Sequence, residues 1–471
     1  MLLLLVMAKV AHSKHMSRIL ALTQDPAKVV LVMALVFGIM TSLLVPQMLA
    51  SDENAHFLKA YAITSGNLSS ESCSFPDSVR YKANALLRND LTNDLAIGQP
   101  TEGTTNGECG AASGYVPIMH LPQAVGIGAG RLIGGSPSTL VLMGRLANAI
   151  FYALALFWIV RFVNNRKWVF AAIGLLPTAI HTAGTLSGDV MNNIVVLGSL
   201  AFIYNLLGQK RALSLSQTIA IYAMAAGLIL TKAPNILLIL PLLALPAHQF
   251  TGISGRLAPK ARKWLVIISS ITLAVILFLA WQKLYGSMLY RDIPTTNPLV
   301  AHPLHFVTVM FNTYLSPGLG YGDMVIRGMI GDFASFSYHL PAVLIIIEIL
   351  LIAFVLLAHN PEEQLAARKA QTTMALLSVI ALAAFVTAIT YALYTAWSIL
   401  PVRLGPNAAY ADGVQGRYFT AALILLVPIA SYIRSYASIH LVRQSTVGLA
   451  VSLVSFVCLS FYILETYATF T

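Results

Sequence analysis

Charged residues are scarce in this sequence. Asp, Glu, Lys and Arg account for only 10% of its 471 residues, while 57% are hydrophobic. Soluble domains carry about a quarter charged residues, so a water-soluble multidomain protein is excluded. The same composition excludes a disordered chain, a collagen-like chain, a coiled coil and a small disulfide-rich protein.

Familiar catalytic motifs are missing as well. The sequence has no phosphate-binding P-loop, no glycine motif for dinucleotides and no serine-hydrolase elbow in a credible context. Cysteine is rare: there are 3 in the chain. None lies in a Cys-x-x-Cys pair, so metal ligation by cysteine is not expected.

Long uncharged apolar runs recur along the whole chain instead. A hydrocarbon layer is crossed by about 20 helical residues, and five runs without any charge reach that length: 29–51, 168–188, 264–282, 371–402 and 444–464. The sequence therefore predicts an all-α polytopic membrane protein with about eleven transmembrane helices. We place them at 29–50, 139–161, 168–187, 190–208, 215–231, 234–248, 264–284, 339–358, 372–396, 417–433 and 445–465.

The distribution of basic residues predicts how these helices are oriented. With the N-terminus inside, the N-terminal segment and the short cytoplasmic loops hold 17 of the 29 Lys and Arg and three acidic residues. This is the positive-inside pattern. The net charge of +11 is thus explained by topology and by contact with anionic membrane lipids, and no nucleic-acid partner is expected. An odd number of crossings places the C-terminus outside.

We divide the chain into a cytoplasmic segment, 1–28, and a single transmembrane domain, 29–471. Two long extracytoplasmic segments, 51–138 and 285–338, lie on one face and are expected to enclose a common chamber. The apolar stretch 115–134 is interpreted as a re-entrant or interfacial helix, because a full crossing there would move the later basic loops outside.

The first outer segment contains Cys73 and Cys109. A disulfide between them would close a loop of about 35 residues. The loop-entropy model puts the resulting stabilisation of the folded state at roughly 3–4 kcal/mol. We expect this bridge, with two free thiols as the alternative.

The end of the first helix carries the most informative polar residues. Asp52 and Glu53 emerge there side by side, and a helix starting at this point would place Asp52, His56 and Lys59 on one face. Solvated charges around a helix cap are the simpler interpretation. A catalytic role is favoured by the position of Asp52 and Glu53 at the outer membrane border.

Further ionisable residues are predicted at the outer ends of other helices. Asp189 lies in a tight outer turn, Lys232 precedes a proline break, and Arg417 opens a helix. Such residues are usually functional or paired, and Arg417 with helical N–H groups could hold a phosphate. Snorkelling to lipid headgroups is the alternative for Lys232 and Arg417. Glu348 is expected to be an interior hydrogen-bond partner, for example to a neighbouring helix. Arg145 is separately expected to pair within the bundle.

Several ordered motifs resemble one bacterial family of predicted membrane proteins, called domain of unknown function 2142. Asp52-Glu53-Asn54-Ala55-His56-Phe57 with Tyr61 is similar to its DE-x-x-HF-x-x-x-Y signature. The other matching stretches are Tyr115-Val116-Pro117, Gly144-Arg145-Leu146-Ala147-Asn148, Ser187-Gly188-Asp189, Lys232-Ala233-Pro234 and Gly413-Val414-Gln415-Gly416-Arg417-Tyr418-Phe419.

That family in turn resembles the GT-C superfamily of integral-membrane glycosyltransferases. The resemblance implies transfer of a sugar from a polyprenyl-phosphate carrier to a glycan or lipid-linked acceptor of the cell envelope, on the outer face of the bacterial cytoplasmic membrane. It assigns the base to Asp52, assisted by Glu53, with inversion at the anomeric carbon. A divalent cation, Mg or Mn, held by Asp52 and Glu53 is allowed but not required.

The substrate-binding and phosphate-binding residues expected on this basis are His56, Lys59, Asp189, Lys232, Gln415, Arg417 and Tyr418. A transporter or flippase of a lipid-linked glycan, without bond chemistry, is the main alternative. Alternating access would predict functional charges near the bilayer midplane. Apart from Arg145 and Glu348, the candidate charges gather at one face, which favours an outer-face enzyme.

Overall fold

The structure is a computed structural model that describes residues 23–68, 73–84, 103–107, 112–252, 257–285, 302–316, 321–333, 338–358, 368–401, 403–435 and 442–470. Helices dominate these residues. We number the α-helices in chain order: α1 Pro26–Leu44, α2 Glu53–Thr64, α3 Asp77–Ala83, α4 Leu121–Leu132, α5 Pro137–Phe162, α6 Lys167–Gly174, α7 Pro177–Ala183, α8 Asp189–Gly208, α9 Leu215–Thr231, α10 Pro259–Tyr285, α11 His305–Tyr314, α12 Tyr321–Ile330, α13 Ala342–Leu357, α14 Arg368–Leu393, α15 Leu426–Arg434 and α16 Gln444–Phe470.

Short 3₁₀ and π segments complete the helical structure. The 3₁₀ segments are Pro117–His120, Ala233–Ala244, Ala247–Gly252, Gly416–Tyr418 and Ala421–Leu425, and a π turn covers Tyr394–Ser398. Proline explains the longest 3₁₀ segment, because Pro241 lies inside it and cannot donate the backbone hydrogen bond of an α-helix.

The described residues also form two small antiparallel sheets outside the helices. Strand β1, Cys73–Pro76, pairs with β2, Thr104–Gly107, and β3, Asp332–Phe333, pairs with β4, Tyr338–His339. The first pairing sets Cys73 opposite Gly107, and Cys73 is disulfide-bonded. Cys109, its expected partner, lies outside the described residues.

The apolar helices are those of a multi-pass membrane protein. Within the part of the chain that the structure describes, six helical segments are long and apolar enough to cross a membrane: Pro26–Leu44, Pro137–Phe162, Asp189–Gly208, Pro259–Tyr285, Gln371–Ser398 and Gln444–Phe470. Four shorter apolar segments accompany them: Leu215–Thr231, Ala233–Ala244, Ala342–Leu357 and Ala421–Arg434. Each of these ten segments coincides with a crossing predicted from the sequence.

Three predicted crossings are less regular than expected. The segment 168–187 is broken into α6 and α7, because Pro177 cannot continue the hydrogen-bond ladder of α6. The segment 234–248 is mainly 3₁₀ helix. The prediction that Arg417 opens a long helix was wrong: it lies in a three-residue 3₁₀ turn, and the α-helix begins at Leu426.

The stretch 115–134 forms a 3₁₀ turn followed by the 12-residue helix α4. This helix spans only about 18 Å, too short to cross a bilayer core of about 30 Å. It packs against α2 and α5. Its length agrees with the re-entrant or interfacial helix expected from the charge pattern.

Residues of the first long segment between predicted crossings, 51–138, lie at the end of the helices where α10 terminates. The Trp281 indole N–H, near the end of α10, donates to the Gly114 carbonyl at 3.0 Å. The N-terminus of α8, the C-terminus of α9 and the turn at Arg417 meet at this same end through ion pairs. The candidate site is therefore formed where several helices end together.

Candidate functional site

Glu53, the first residue of α2, is held by four hydrogen bonds. Its Oε1 accepts from Arg145 Nε at 2.7 Å and from the Leu186 backbone N–H at 3.0 Å. Its Oε2 accepts from an Arg145 terminal nitrogen at 2.6 Å and from the Met48 backbone N–H at 2.8 Å. A carboxylate has about four lone-pair positions, so this one is saturated.

Arg145, in the middle of α5, is saturated in the same way. Besides its two bonds to Glu53, it donates to the carbonyls of Ser42 at 3.3 Å, Val45 at 2.6 Å and Pro46 at 3.0 Å. All five guanidinium N–H groups are thereby used. Both side chains of the pair are fully buried. The expected pairing of Arg145 inside the bundle is confirmed.

These contacts correct the chemical role expected for Glu53. A group that already accepts four hydrogen bonds cannot take a proton or bind a cation without breaking one of them. Glu53 instead fixes the end of α1 against α5 and the segment before α8. It positions the neighbouring Asp52, and its four accepted hydrogen bonds leave no lone pair for a proton or a cation.

Asp52 has the opposite environment. It occupies the N-cap position of α2, yet its side chain makes no capping hydrogen bond, and its backbone lies in the left-handed region with φ 61°. Non-glycine residues seldom adopt this conformation, although Asp and Asn tolerate it best. Its side chain is 55% exposed. The carboxylate is thus directed away from the helix and remains accessible.

Asp52, Arg417, Asp189 and Lys232 form a continuous chain of ion pairs, which we call the charged quartet. Arg417 Nη2 lies 2.6 Å from Asp52 Oδ2, and its Nε lies 3.1 Å from Asp189 Oδ2. Lys232 Nζ lies 2.6 Å from Asp189 Oδ1. The structure therefore brings together four residues that the sequence predicted at separate helix ends.

Local structure explains why these side chains meet. Asp189 is the first residue of α8, and Lys232 ends α9 where Pro234 prevents continuation. Arg417 follows Gly416, whose added Cβ would lie 2.1 Å from the Val325 carbonyl oxygen of α12. Only glycine permits this close approach of two backbones.

Tyr418 and Gln415 accompany Arg417 in different ways. The Tyr418 ring lies beneath Lys232, with Nζ 3.6 Å from the ring centroid. This is a close cation–π contact. Gln415 contributes its backbone carbonyl, which accepts from the Tyr418 N–H at 3.1 Å. Both residues shape the turn, and only Tyr418 touches the charged quartet through its side chain.

His56 pairs with a histidine that the sequence did not single out. His56 Nδ1 lies 2.8 Å from His120 Nε2, and both rings are buried. The Tyr115 ring stacks near both, with centroid distances of 6.2 Å. Burial lowers the pKa of both histidines, and that of His120 is lowered further by the neighbouring His56.

Lys59 lies one turn further along α2 and does not join the charged quartet. Its ammonium is buried and donates to the Ser113 carbonyl at 2.6 Å. Trp281 lies nearby, with its ring centroid 6.0 Å from Nζ. Burial lowers the pKa of Lys59 to about 8. In the structure the Lys59 ammonium therefore packs beside the site, against Ser113 and Trp281, and its role in binding phosphate stays a prediction.

Most of the chain matches one known protein family. Residues 35–427 match the family described as "Predicted membrane protein (DUF2142)". The chain belongs to this family. The family predicted from the sequence motifs is thereby confirmed. No curated protein and no solved structure matches the chain.

In this DUF2142 protein, the charged quartet lies entirely within the matched range. A metal site is not supported by the donor set. The described residues contain no group of three or more His, Cys, Asp or Glu suited to a metal ion, and Glu53 is saturated. What the arrangement offers is one accessible carboxylate beside two cationic side chains that are 13% and 14% exposed.

Proposed function

We propose that this protein is an inverting glycosyltransferase of the GT-C type. It moves a sugar from a polyprenyl-phosphate donor to a cell-envelope glycan or lipid-linked acceptor. The observation that carries the proposal is the exposed carboxylate of Asp52, free of any capping bond and paired with Arg417 at 2.6 Å. Carboxylate and cation are the two groups that such a displacement needs.

Asp52 acts as the general base in this scheme. Its carboxylate accepts the proton of the acceptor hydroxyl as that oxygen attacks the anomeric carbon. The bond between this carbon and the phosphate oxygen breaks at the same time, and the electron pair leaves with the polyprenyl phosphate. A single displacement inverts the configuration at the anomeric carbon.

Arg417 and Lys232 stabilise the departing phosphate. Both cations are only slightly exposed, which strengthens their interaction with an anion relative to bulk water. Arg417 also presents a planar guanidinium, which suits a phosphate. A phosphate that binds Arg417 competes with Asp52 for it, so donor binding releases the base at the moment when it is required.

Asp189 keeps the two cations in place before the donor arrives. It lies between Lys232 and Arg417 and contacts both through different oxygens. Without it, two buried cations would face each other and repel. Its role is therefore to position these cations and not to accept a proton.

The proposal includes a membrane topology. Eleven crossings, with the N-terminus inside and the C-terminus outside, place the charged quartet on the extracytoplasmic face of the bacterial cytoplasmic membrane. The opposite end of the helices carries buried or half-buried cations, including Arg262 and Arg434. Arg434 donates to the Ala358 carbonyl at 2.9 Å. An excess of cations at that end is what the cytoplasmic face requires.

Purified protein in lipid nanodiscs tests the proposal. Radiolabelled polyprenyl-phosphate sugars are supplied with cell-envelope acceptors, and the product configuration is determined by NMR. We expect transfer with inversion, and a polyprenyl-linked lipid that co-purifies and is identified by mass spectrometry. Tight binding of that lipid without turnover for any sugar and acceptor would overturn the proposal in favour of transport.

A further inference from the structure

The His56–His120 pair lies beside the charged quartet and has no role in the scheme above. His120 ends the 3₁₀ turn Pro117–His120, and the pair joins this turn to α2. His120 is packed tightly: a Cβ added to Gly188, the residue before Asp189, would lie 3.3 Å from its ring. The His120 ring, which forms the 2.8 Å hydrogen bond, is therefore confined on the side that faces Gly188.

Two imidazoles joined by one N–H···N bond must have complementary tautomers. Either His120 donates from Nε2 to His56 Nδ1, or His56 donates from Nδ1 to His120 Nε2. His120 Nδ1 decides between them, because it is buried and has no hydrogen-bond partner among the described residues. A buried N–H without an acceptor is rarer than an acceptor without a donor. His120 Nδ1 is therefore the unprotonated nitrogen, and His120 donates.

This tautomer determines what His56 can do. With its Nδ1 occupied as an acceptor, neutral His56 carries its proton on Nε2. That nitrogen makes no hydrogen bond with any residue that the structure describes. His56 lies one helical turn from Asp52, whose backbone carbonyl accepts from the His56 N–H at 3.1 Å. The remaining Nε2–H is available to an oxygen at the site.

We propose that His120 is a positioning residue that fixes His56 as a neutral Nε2–H donor toward the phosphate oxygens of the donor substrate. The inference rests on the proposed function for the identity of that anion. The tautomer itself is a property of the protein without substrate. The Tyr115 ring, stacked near both histidines, keeps the pair aligned.

The tautomers are measured by NMR of protein labelled with ¹⁵N-histidine in nanodiscs at pH 7. Signals of the 11 histidines are assigned through single His→Gln variants. We expect protonated Nε2 and unprotonated Nδ1 in both His56 and His120. A protonated Nδ1 on His56, or a charged His56, would overturn the proposal whether or not the protein transfers sugar.

Two variants of nearly equal size separate positioning from packing. The amide nitrogen of glutamine reaches approximately where His Nε2 lies, whereas that of asparagine does not. We expect His120→Gln to retain the His56 tautomer and His120→Asn to lose it. In the transfer assay, His120→Asn should raise KM for the donor about tenfold, the effect of one hydrogen bond, and leave the thermal unfolding midpoint close to that of His120→Gln.

A double-mutant cycle provides the final control. His56→Gln keeps an N–H donor at the Nε2 position but removes the ring nitrogen that accepts from His120. If His120 acts through His56, His120→Asn should have little further effect in this background. Fully additive effects of the two substitutions would show that His120 acts independently and would refute its positioning role.

Discussion

Asp52 and Glu53 are adjacent in the chain but have opposite environments. Glu53 is fully buried and accepts four hydrogen bonds, while Asp52 is exposed and contacts Arg417. The sequence could predict that an acidic pair follows the first helix. It could not separate the two carboxylates, because the partner of Glu53 is 92 residues away in α5.

At the residue scale, the Glu53–Arg145 pair is predicted to support stability. Glu53→Gln leaves the Arg145 charge buried without a counter-ion, which should cost about 3–5 kcal/mol. Thermal unfolding in detergent micelles should show a large decrease in the midpoint. Asp52→Asn is the matched control, since its exposed side chain makes fewer contacts. Equal midpoints for the two variants would contradict the assignment of separate roles.

Lys59 gives a prediction for pH dependence. Its pKa is lowered from 10.5 to about 8 in the folded protein, so between these values the unfolded chain binds more protons. Stability should therefore rise as the pH increases from about 8 to 10.5, and fall as the pH drops through this window. The unfolding midpoint of wild type should increase there more than that of Lys59→Met. Parallel pH profiles would exclude a depressed pKa.

At the scale of elements, hydrophobic runs predicted the helices well because burial in lipid depends on composition over about 20 residues. The irregular segments were harder to anticipate. Pro177 and Pro241 are visible in the sequence, but whether a proline kinks, divides or tightens a helix depends on the packing of its neighbours. His120 escaped notice for the same reason: its partner, His56, is 64 residues away.

The turn that carries Arg417 depends on close backbone packing. A Cβ at position 416 would lie 2.1 Å from the Val325 oxygen and 2.3 Å from the Met329 nitrogen. Gly416→Ala should therefore displace Arg417 from Asp52 and reduce transfer on the order of a hundredfold, as misplacement by about 1 Å does. Gly208→Ala is the control, because its Cβ would meet no atom within 4 Å. Wild-type transfer by Gly416→Ala would contradict this dependence.

At the scale of the whole molecule, ionisable residues from α2, α8, α9 and the Arg417 turn meet at one end of the bundle. The sequence predicted that these ionisable residues gather at one face, because each lies at the end of a predicted helix. It could not predict which cation pairs with which carboxylate, since that requires the lateral order of the helices. The sharing of Arg417 between two aspartates is visible only in three dimensions.

Membrane orientation is tested with two exposed alanines at opposite ends. Ala409 precedes the Arg417 turn, while Ala212 follows α8, about 30 Å from the Asp189 end of that helix. Ala409→Cys should react with an impermeant maleimide on intact cells, and Ala212→Cys only after permeabilisation. Among the native cysteines, Cys73 is disulfide-bonded and Cys458 is buried. The reverse labelling pattern would place the charged quartet in the cytoplasm.

The most direct test of the account is sugar transfer by Asp52→Asn in nanodiscs. Asparagine tolerates the left-handed backbone and keeps an oxygen for Arg417, but it cannot accept the proton of the hydroxyl. We predict normal membrane insertion and unfolding, with transfer reduced at least about a hundredfold. Asp323→Asn, which alters another exposed aspartate paired with an arginine, should transfer normally. Turnover by Asp52→Asn at the wild-type rate would contradict the central role of Asp52.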